Sequence, residues 1–425
     1  MNTLHLLMMP LKTTITLFFV FVLALQGCKE SADSVQTKNA TIVESGNWRF
    51  VMDLGDKLLP FNAVIDLDNS EPRFIVMNAN EEIQLENVRF FNDSIKAYFP
   101  VFQSELSLRI ESPSLLSGKW INHNKENYSI PVMAEYNRNF RFTPSKSSAD
   151  IASKYKVVFD PNGTKPWNAI LKVSNNEGKL EGTFLTETGD YRFLDGNIMN
   201  GKIYLSTFDG SHAFYFESDI RGDSLHNGQF LSGSHYQTSW LGSANQNFEL
   251  RSPDDLTYIK KGYNYFDFSL PNQDGDTVSW NDLDLQGKVV IVDIMGSWCP
   301  NCLDANRSIQ KLISTYNKED IAVLTIAFEK TTDLQKARSR IIKMQEKLGL
   351  PEGFIFGGKA NKQSASNAFP MLNHIMSYPT LIFIDKNREV RQIYTGFYGP
   401  GTGKYYDQFM KETDSLLQEM VNEQA

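Results

Sequence analysis

Two cysteines two residues apart, Cys299 and Cys302 in Trp298-Cys299-Pro300-Asn301-Cys302, are the residues of this chain best suited to covalent chemistry. They follow an apolar, β-branched run at 289–294 that reads as a buried strand, a break at Gly296 and Ser297, and then a segment with helical apolar spacing. Strand, turn and helix in that order put Cys299 at a helix N-terminus, where unpaired backbone N–H groups favour thiolate over thiol. Cys302 falls one turn further in, within reach of a disulfide with Cys299. Pro300 occupies the first helical turn, where a missing N–H costs nothing. The pair reads as a two-thiol redox switch, one sulfur attacking and the second displacing it.

Two more residues suit the same chemistry. Asp293 lies at the end of the strand before Cys299, and a carboxyl in apolar surroundings holds its proton toward neutral pH and can shuttle it for the resolving thiol Cys302. Pro379, in Ser377-Tyr378-Pro379-Thr380 ahead of a strand at 381–384, is placed for a cis X–Pro bond that turns the Tyr378 backbone toward the sulfurs. With these residues in hand, the C-terminal part of the chain resembles the thioredoxin fold. More narrowly it resembles the TlpA-like family of exported thiol–disulfide oxidoreductases from Bacteroidetes-type bacteria.

The resemblance spans 262–425. It implies that Cys299 is the nucleophile, Cys302 the resolving thiol, Asp293 the buried acid and Pro379 the cis-proline, with Trp298, Pro300 and Tyr378 at the substrate. Many family members carry an acid on the next strand instead of at the Asp293 position, and Glu329, ending Leu324-Thr-Ile-Ala-Phe-Glu329, stands at that second place. Disulfide substrates, protein or small-molecule, and an upstream membrane thiol electron donor are further implications, and no cofactor is required. The loop Gly396-Phe-Tyr-Gly-Pro-Gly-Thr-Gly403 resembles a segment of family members from the same bacteria, without an assigned chemistry.

The chain has 425 residues, longer than one core supports, so at least two domains are expected. With 42 basic against 50 acidic residues and no basic block, a nucleic-acid partner is excluded. Three cysteines are too few for a disulfide framework, and one Cys-x-x-Cys without a second ligand pair does not make a structural zinc site, so no metal is expected. The third cysteine, Cys28, closes a different kind of segment. Lys12 precedes an apolar run at 15–25 that is too short to span a bilayer but suits a secretory signal. The run ends in Leu25-Gln26-Gly27-Cys28, which resembles a bacterial lipobox with lipidation at Cys28. The expected order is a lipoprotein signal peptide at 1–27 and a flexible polar tether at 28–44, giving a lipid-anchored protein of the cell envelope that faces the periplasm or the outer-membrane surface.

From 45 to 252 the hydrophobic period becomes two, as in Trp48, Phe50, Met52 and Leu54, with turns such as Asn162-Gly163 and Asp209-Gly210 between the runs. This all-β region repeats: Pro60-Phe-Asn-Ala-Val-Ile-Asp-Leu67 recurs 106 residues later as Pro166-Trp-Asn-Ala-Ile-Leu-Lys-Val173. Halves at about 45–145 and 150–252 either pack as a sandwich or close into a barrel, and one continuous β domain is expected. The thioredoxin-like domain follows at 262–425.

Two other functions fit the same residues less well. A peroxiredoxin typically has Thr or Ser three positions before its reactive cysteine, where this chain has Gly296. A ligand-binding lipoprotein, with Trp120, Trp167 and Trp240 lining a groove and the thiol module as an accessory, needs aromatic strand residues to face solvent, whereas such residues are usually core. Gly401-Thr-Gly403-Lys404 is not a phosphate loop, because Tyr398 stands where the first glycine is required.

Overall fold

A computed structural model describes residues 43–68, 71–147 and 149–424; the signal segment, Cys28 and most of the expected tether lie outside the described residues. The period-two stretch folds as two antiparallel meanders. The first comprises β1 (Gly46–Asp53), β2 (Leu58–Asp66), β3 (Arg73–Asn78), β4 (Glu81–Gln84), β5 (Glu86–Phe91), β6 (Ser94–Tyr98), β7 (Ser104–Ser112), β8 (Leu115–Asn122) and β9 (Ser129–Tyr136). Hydrogen bonding runs β4-β3-β2-β1-β9-β8-β7-β6-β5. Its two ends are consecutive in the chain, joined at Leu85, whose N–H donates to the Phe74 carbonyl of β3 at 2.8 Å, so the sheet curls into a barrel. Alternation supplies the lining: Trp48, Phe50 and Met52 of β1 and Phe61, Ala63 and Ile65 of β2 all point inward and are buried.

The second meander comprises β10 (Lys154–Phe159), β11 (Trp167–Asn176), β12 (Lys179–Thr186), β13 (Gly189–Asp190), β14 (Leu194–Met199), β15 (Lys202–Phe208), β16 (Ala213–Arg221), β17 (Ser224–Ser232) and β18 (Tyr236–Ala244). Here closure is complete, because β10 pairs with both β11 and β18 and β11 also pairs with β12. Closing the ring leaves no long unpaired edge. The repeated motif falls on β2 and β11, the second strand of each barrel. Each barrel has its own apolar interior, so the halves are two barrels and not two faces of a sandwich. Trp120 and Trp240 are fully buried in these interiors and line no groove.

The barrels are joined where Phe208, at the end of β15, leaves its own barrel. Its ring lies 4.6 Å from Phe61, 5.2 Å from Phe99 and 5.2 Å from Trp120, all residues of the first barrel. Arg141 adds a polar joint: fully buried, it donates to Met77 O at 2.9 Å, Asn78 Oδ1 at 3.0 Å and Ser206 Oγ at 2.8 Å.

The C-terminal module opens with a short hairpin, β19 (Leu270–Pro271) and β20 (Thr277–Val278). Ahead of it, Phe266 and Phe268 are buried as core residues of an irregular segment. The main sheet contains β21 (Val289–Met295), β22 (Ile321–Glu329), β23 (Ile355–Lys359), β24 (Thr380–Ile384) and β25 (Val390–Thr395), in the order β23-β22-β21-β24-β25. The helices are α1 (Pro300–Ile313), α2 (Leu334–Leu348), α3 (Lys362–Ala368) and α4 (Lys404–Asn422). Every residue of β21 is buried, as its unbroken apolar run requires of a central strand covered on both faces. Helices α1 and α4 cover one face through Ala305, Ile309, Phe409 and Leu417. Phe266, Trp280, Phe369 and Ile375 cover the other. This is the thioredoxin arrangement, with α1 springing directly from the C-terminal end of β21.

Because Phe208 fills the first barrel from the second, Phe208→Ala should destabilise the protein by about 3–5 kcal/mol. Urea titration followed by tryptophan fluorescence measures the loss, and an unchanged midpoint excludes the joint.

Candidate active site

The dithiol stands where β21 hands over to α1. Cys299 is the N-cap residue, in extended conformation with φ −102° and ψ 114°, and its Sγ accepts the Cys302 backbone N–H at 3.3 Å. Sulfur thus takes the place of the oxygen that Ser or Asp supplies in an ordinary cap. Pro300 follows at the first helical position. Both cysteines are free thiols; Cys299 is 7 % exposed and Cys302 is fully buried. Burial pushes the Cys302 thiol well above its ordinary range, and the Cys299 sulfur and the Asp293 carboxylate push it further.

Asp293 lies beneath the dithiol in mid-sheet, paired in register with Thr325 and Leu381. It is fully buried, and desolvation raises its carboxyl to about 7, with only the Asn306 amide opposing the shift. Asn306 Nδ2 donates to Asp293 Oδ2 at 2.8 Å and to the Cys302 carbonyl at 2.8 Å, while Asp293 Oδ1 has no partner. A single side chain therefore links the acid to the residue whose thiol must lose a proton. Sequence reading missed Asn306. The available signal was a polar residue one turn after Cys302 on a helix face otherwise made of Ala305, Ile309 and Leu312.

Glu329 is placed differently from Asp293. It is buried at the end of β22, and its carboxylate accepts the Ser297 backbone N–H at 2.7 Å and the Ser297 hydroxyl at 2.9 Å. Burial raises its pKa, opposed by those two hydrogen bonds. Its contacts clamp the turn ahead of Cys299, which makes it a positioning residue in this geometry. Ser297 is the partner that sequence reading treated only as a strand breaker.

On the opposite side of the sulfurs, the Tyr378–Pro379 bond is cis, and the Cys299 thiol donates to the Tyr378 carbonyl at 3.5 Å. Trp298 donates its indole N–H to the Phe328 carbonyl at 2.9 Å and packs edge-on against Tyr378, with ring centres 5.8 Å apart. Trp298, Pro300, Tyr378 and Pro379 therefore surround one dithiol.

The second barrel reaches this site. Asn301 Nδ2 donates to the Asp190 carbonyl at 3.1 Å, and the Ser211 hydroxyl donates to the Trp298 carbonyl at 3.0 Å. Arg192, 3 % exposed, donates to the Pro300 carbonyl at 3.0 Å and to the Asp304 carboxylate of α1. The same guanidinium pairs with Glu81 of the first barrel and, at 3.4 Å, with Asp209 of the second. Burial works against its charge, but Asp304, Glu81, Asp209 and Asp190 outweigh that and raise its pKa. Even so, burial lifts Asp304 to about 7 and Asp190 to about 6, since one cation serves four carboxyl groups.

The glycine-rich loop that had no assigned chemistry is the seat of this contact. Gly396, at φ 77°, lies so close to the second barrel that a Cβ there would be 2.7 Å from the Glu187 carbonyl; one at Gly401 would be 2.9 Å from that of Arg192. The Gly399 N–H donates to Asp190 and the Thr402 carbonyl accepts from Lys172 at 2.8 Å. Glycine is needed because backbone meets backbone.

Arg192→Leu should cost about 3–5 kcal/mol, because it leaves buried carboxylates without their cation. The loss should be smaller at about pH 6 than at about pH 8, since the variant can protonate those groups at lower pH; chemical denaturation at both pH values tests this. Asp293 gives the second pH dependence. Its folded value of about 7 lies above that of an unfolded aspartate, so its ionisation costs stability as pH rises through 7. Asp293→Asn should therefore gain stability relative to the parent between about pH 5 and about pH 8, by an amount on the order of 2–4 kcal/mol. A pH-independent difference would show that the carboxyl titrates normally.

Residues 262–393 match the family model described as the AhpC/TSA family. Among curated proteins, the thiol–disulfide oxidoreductase ResA of Geobacillus kaustophilus is 27 % identical over 113 residues, covering 27 % of this chain and 58 % of that protein. The thioredoxin-like protein YneN of Bacillus subtilis is 24 % identical over 138 residues, 32 % of this chain and 73 % of its own length. The chain thus spans just over half of that ResA. Among solved structures, a thiol:disulfide interchange protein of the thioredoxin family from Chlorobium tepidum aligns with a TM-score of 0.28 at 17 % identity, covering 39 % of this chain and 100 % of the other. With its dithiol at a helix cap over a buried acid, the C-terminal module is similar to the TlpA-like thioredoxin-fold thiol–disulfide oxidoreductases, a likeness that the AhpC/TSA match and the ResA relative support.

Proposed function

We propose that this chain is an exported, membrane-anchored thiol–disulfide oxidoreductase that reduces disulfides of envelope proteins. The observation carrying this reading is the helix-cap dithiol: Cys299 Sγ accepts the Cys302 N–H, faces the Tyr378 carbonyl, and stands over a carboxyl that titrates near neutral pH. Anchoring rests on Leu25-Gln26-Gly27-Cys28, with Cys28 as the lipidated residue. The names of the ResA relatives support the reaction class.

In this reading the Cys299 thiolate attacks one sulfur of a substrate disulfide lying along Tyr378 and Pro379. The substrate S–S bond breaks, its second sulfur leaves as a thiolate that takes up a proton, and a mixed disulfide holds the first. Cys302, whose thiol is otherwise hard to ionise, gives its proton to the Asp293 carboxylate and attacks Cys299 Sγ. The Cys299–Cys302 disulfide forms and the substrate departs reduced, having received two electrons. An upstream membrane thiol donor returns the enzyme to the dithiol. Trp298 and Pro300 shape the approach, and Glu329 holds the turn through Ser297.

Cys302→Ser should arrest the reaction at the mixed disulfide, so that its client can be identified by mass spectrometry after non-reducing purification. Cys299→Ser should trap nothing and lose insulin reduction altogether. Equal trapping by both variants would overturn the assignment of roles, and peroxide consumption faster than disulfide reduction would make the protein a peroxidase.

A further inference from the structure

The second barrel closes one side of the dithiol, through Asn301, Pro300 and the Trp298 carbonyl. The side left to substrate is that of the Trp298 indole, and its surroundings are cationic. Lys330 Nζ lies 3.5 Å from the centre of the Trp298 ring. Among the described residues Lys330 makes no ion pair; the acid next to it, Glu329, is turned inward to Ser297. Lys125, from the β8–β9 turn of the first barrel, likewise has no carboxylate partner among the described residues. It rests on the Tyr128 ring at 4.4 Å and contacts His235 Nε2 at 3.0 Å, while Tyr128 Oη lies 3.2 Å from His235 Nδ1. Lys125 and Lys330 are both exposed.

Burial and neighbouring charge act on both amines. Desolvation lowers the Lys125 amine and the charge of Lys330 lowers it further. Lys330, partly desolvated against the indole, is lowered too, and charge on the Cys299 sulfur acts in the opposite direction. One unpaired ammonium group, that of Lys330, therefore covers the ring of the residue before the nucleophile, and a second, that of Lys125, stands over the Tyr128 ring of the first barrel, in a protein whose net charge is −8. A local excess of positive charge on an acidic protein steers anions toward it.

We propose that Lys330 and Lys125 form a carboxylate-binding subsite that selects disulfides flanked by acidic residues in protein substrates. The inference rests on the reductase reading above and adds the charge class of its clients. Lys330 meets the acidic side chain next to the attacked sulfur, over the face of Trp298, and Lys125 the one beyond it. Neither lysine takes part in the bond exchange, so their effect is on substrate choice.

The test uses the full chain and two synthetic peptides, each closed by one disulfide, with glutamates flanking the cysteines in one and lysines in the other. The ratio of their kcat/KM values cancels any effect on Cys299 reactivity common to both. At low salt the glutamate peptide should be preferred about tenfold, with the preference shrinking toward unity near 1 M salt, where screening acts over about 3 Å. Lys330→Glu should reverse the preference, and Lys125→Gln should reduce it severalfold. Reduction of both peptides at equal rates, or a preference that survives Lys330→Glu, overturns the subsite while leaving the reductase reading intact. Reduction of neither peptide by the unaltered protein overturns both.

Discussion

A single buried cation holds the dithiol helix in register with the rest of the molecule. Arg192 sits with almost no solvent contact between a carboxylate of the first barrel, one of the second and one on α1, and donates to the carbonyl at the first position of that helix. Desolvating a guanidinium is costly, and the pairing is favourable only if every partner stays in place. That requirement makes the three modules one unit: displacing any of them strands a charge. The glycine-rich loop 396–403 exists on the same terms, giving the second barrel a backbone surface to rest on.

Next to this charged junction the redox centre is governed by the opposite condition, near-absence of charge. Asp293 and Cys302 share a site with no cation among the partners that shift either of them, so burial raises both pKa values. The acid then changes protonation near neutral pH while the thiol does not ionise unaided. Such a pair suits a proton handed from sulfur to carboxylate when the mixed disulfide has formed. Asn306 keeps the two in fixed relation, and Glu329 fixes the turn from the other side. The two acids that looked interchangeable along the chain differ in surroundings: one is left with an unpartnered oxygen beneath the dithiol, and the other is occupied by Ser297.

The barrels do more than precede the thiol module in the chain. Loops from the second barrel contact the residues before, between and after the two cysteines. They cover the dithiol from the side of Asn301 and Pro300.

What the sequence determined by itself is local and periodic. The apolar run into Gly296, followed by Pro300 in the first helical turn, is enough to place Cys299 at a helix cap. Period-two alternation with turn residues is enough for antiparallel strands, and the recurrence of Pro60-Phe-Asn-Ala at Pro166-Trp-Asn-Ala is enough for two like halves. The first two of these signals are carried by residues within about two turns or one strand pair of each other, and the third by the likeness of two local patterns. Closure of each half into its own barrel and the inward turn of Glu329 have no such signature. Arg192 is the clearest case: it bonds residues 108, 112 and 111 positions away, and nothing near it in the chain marks it as a partner of the dithiol helix. Burial decides its role, because a guanidinium is worth little in water and becomes a fixed constraint only once three separate elements have excluded the solvent around it.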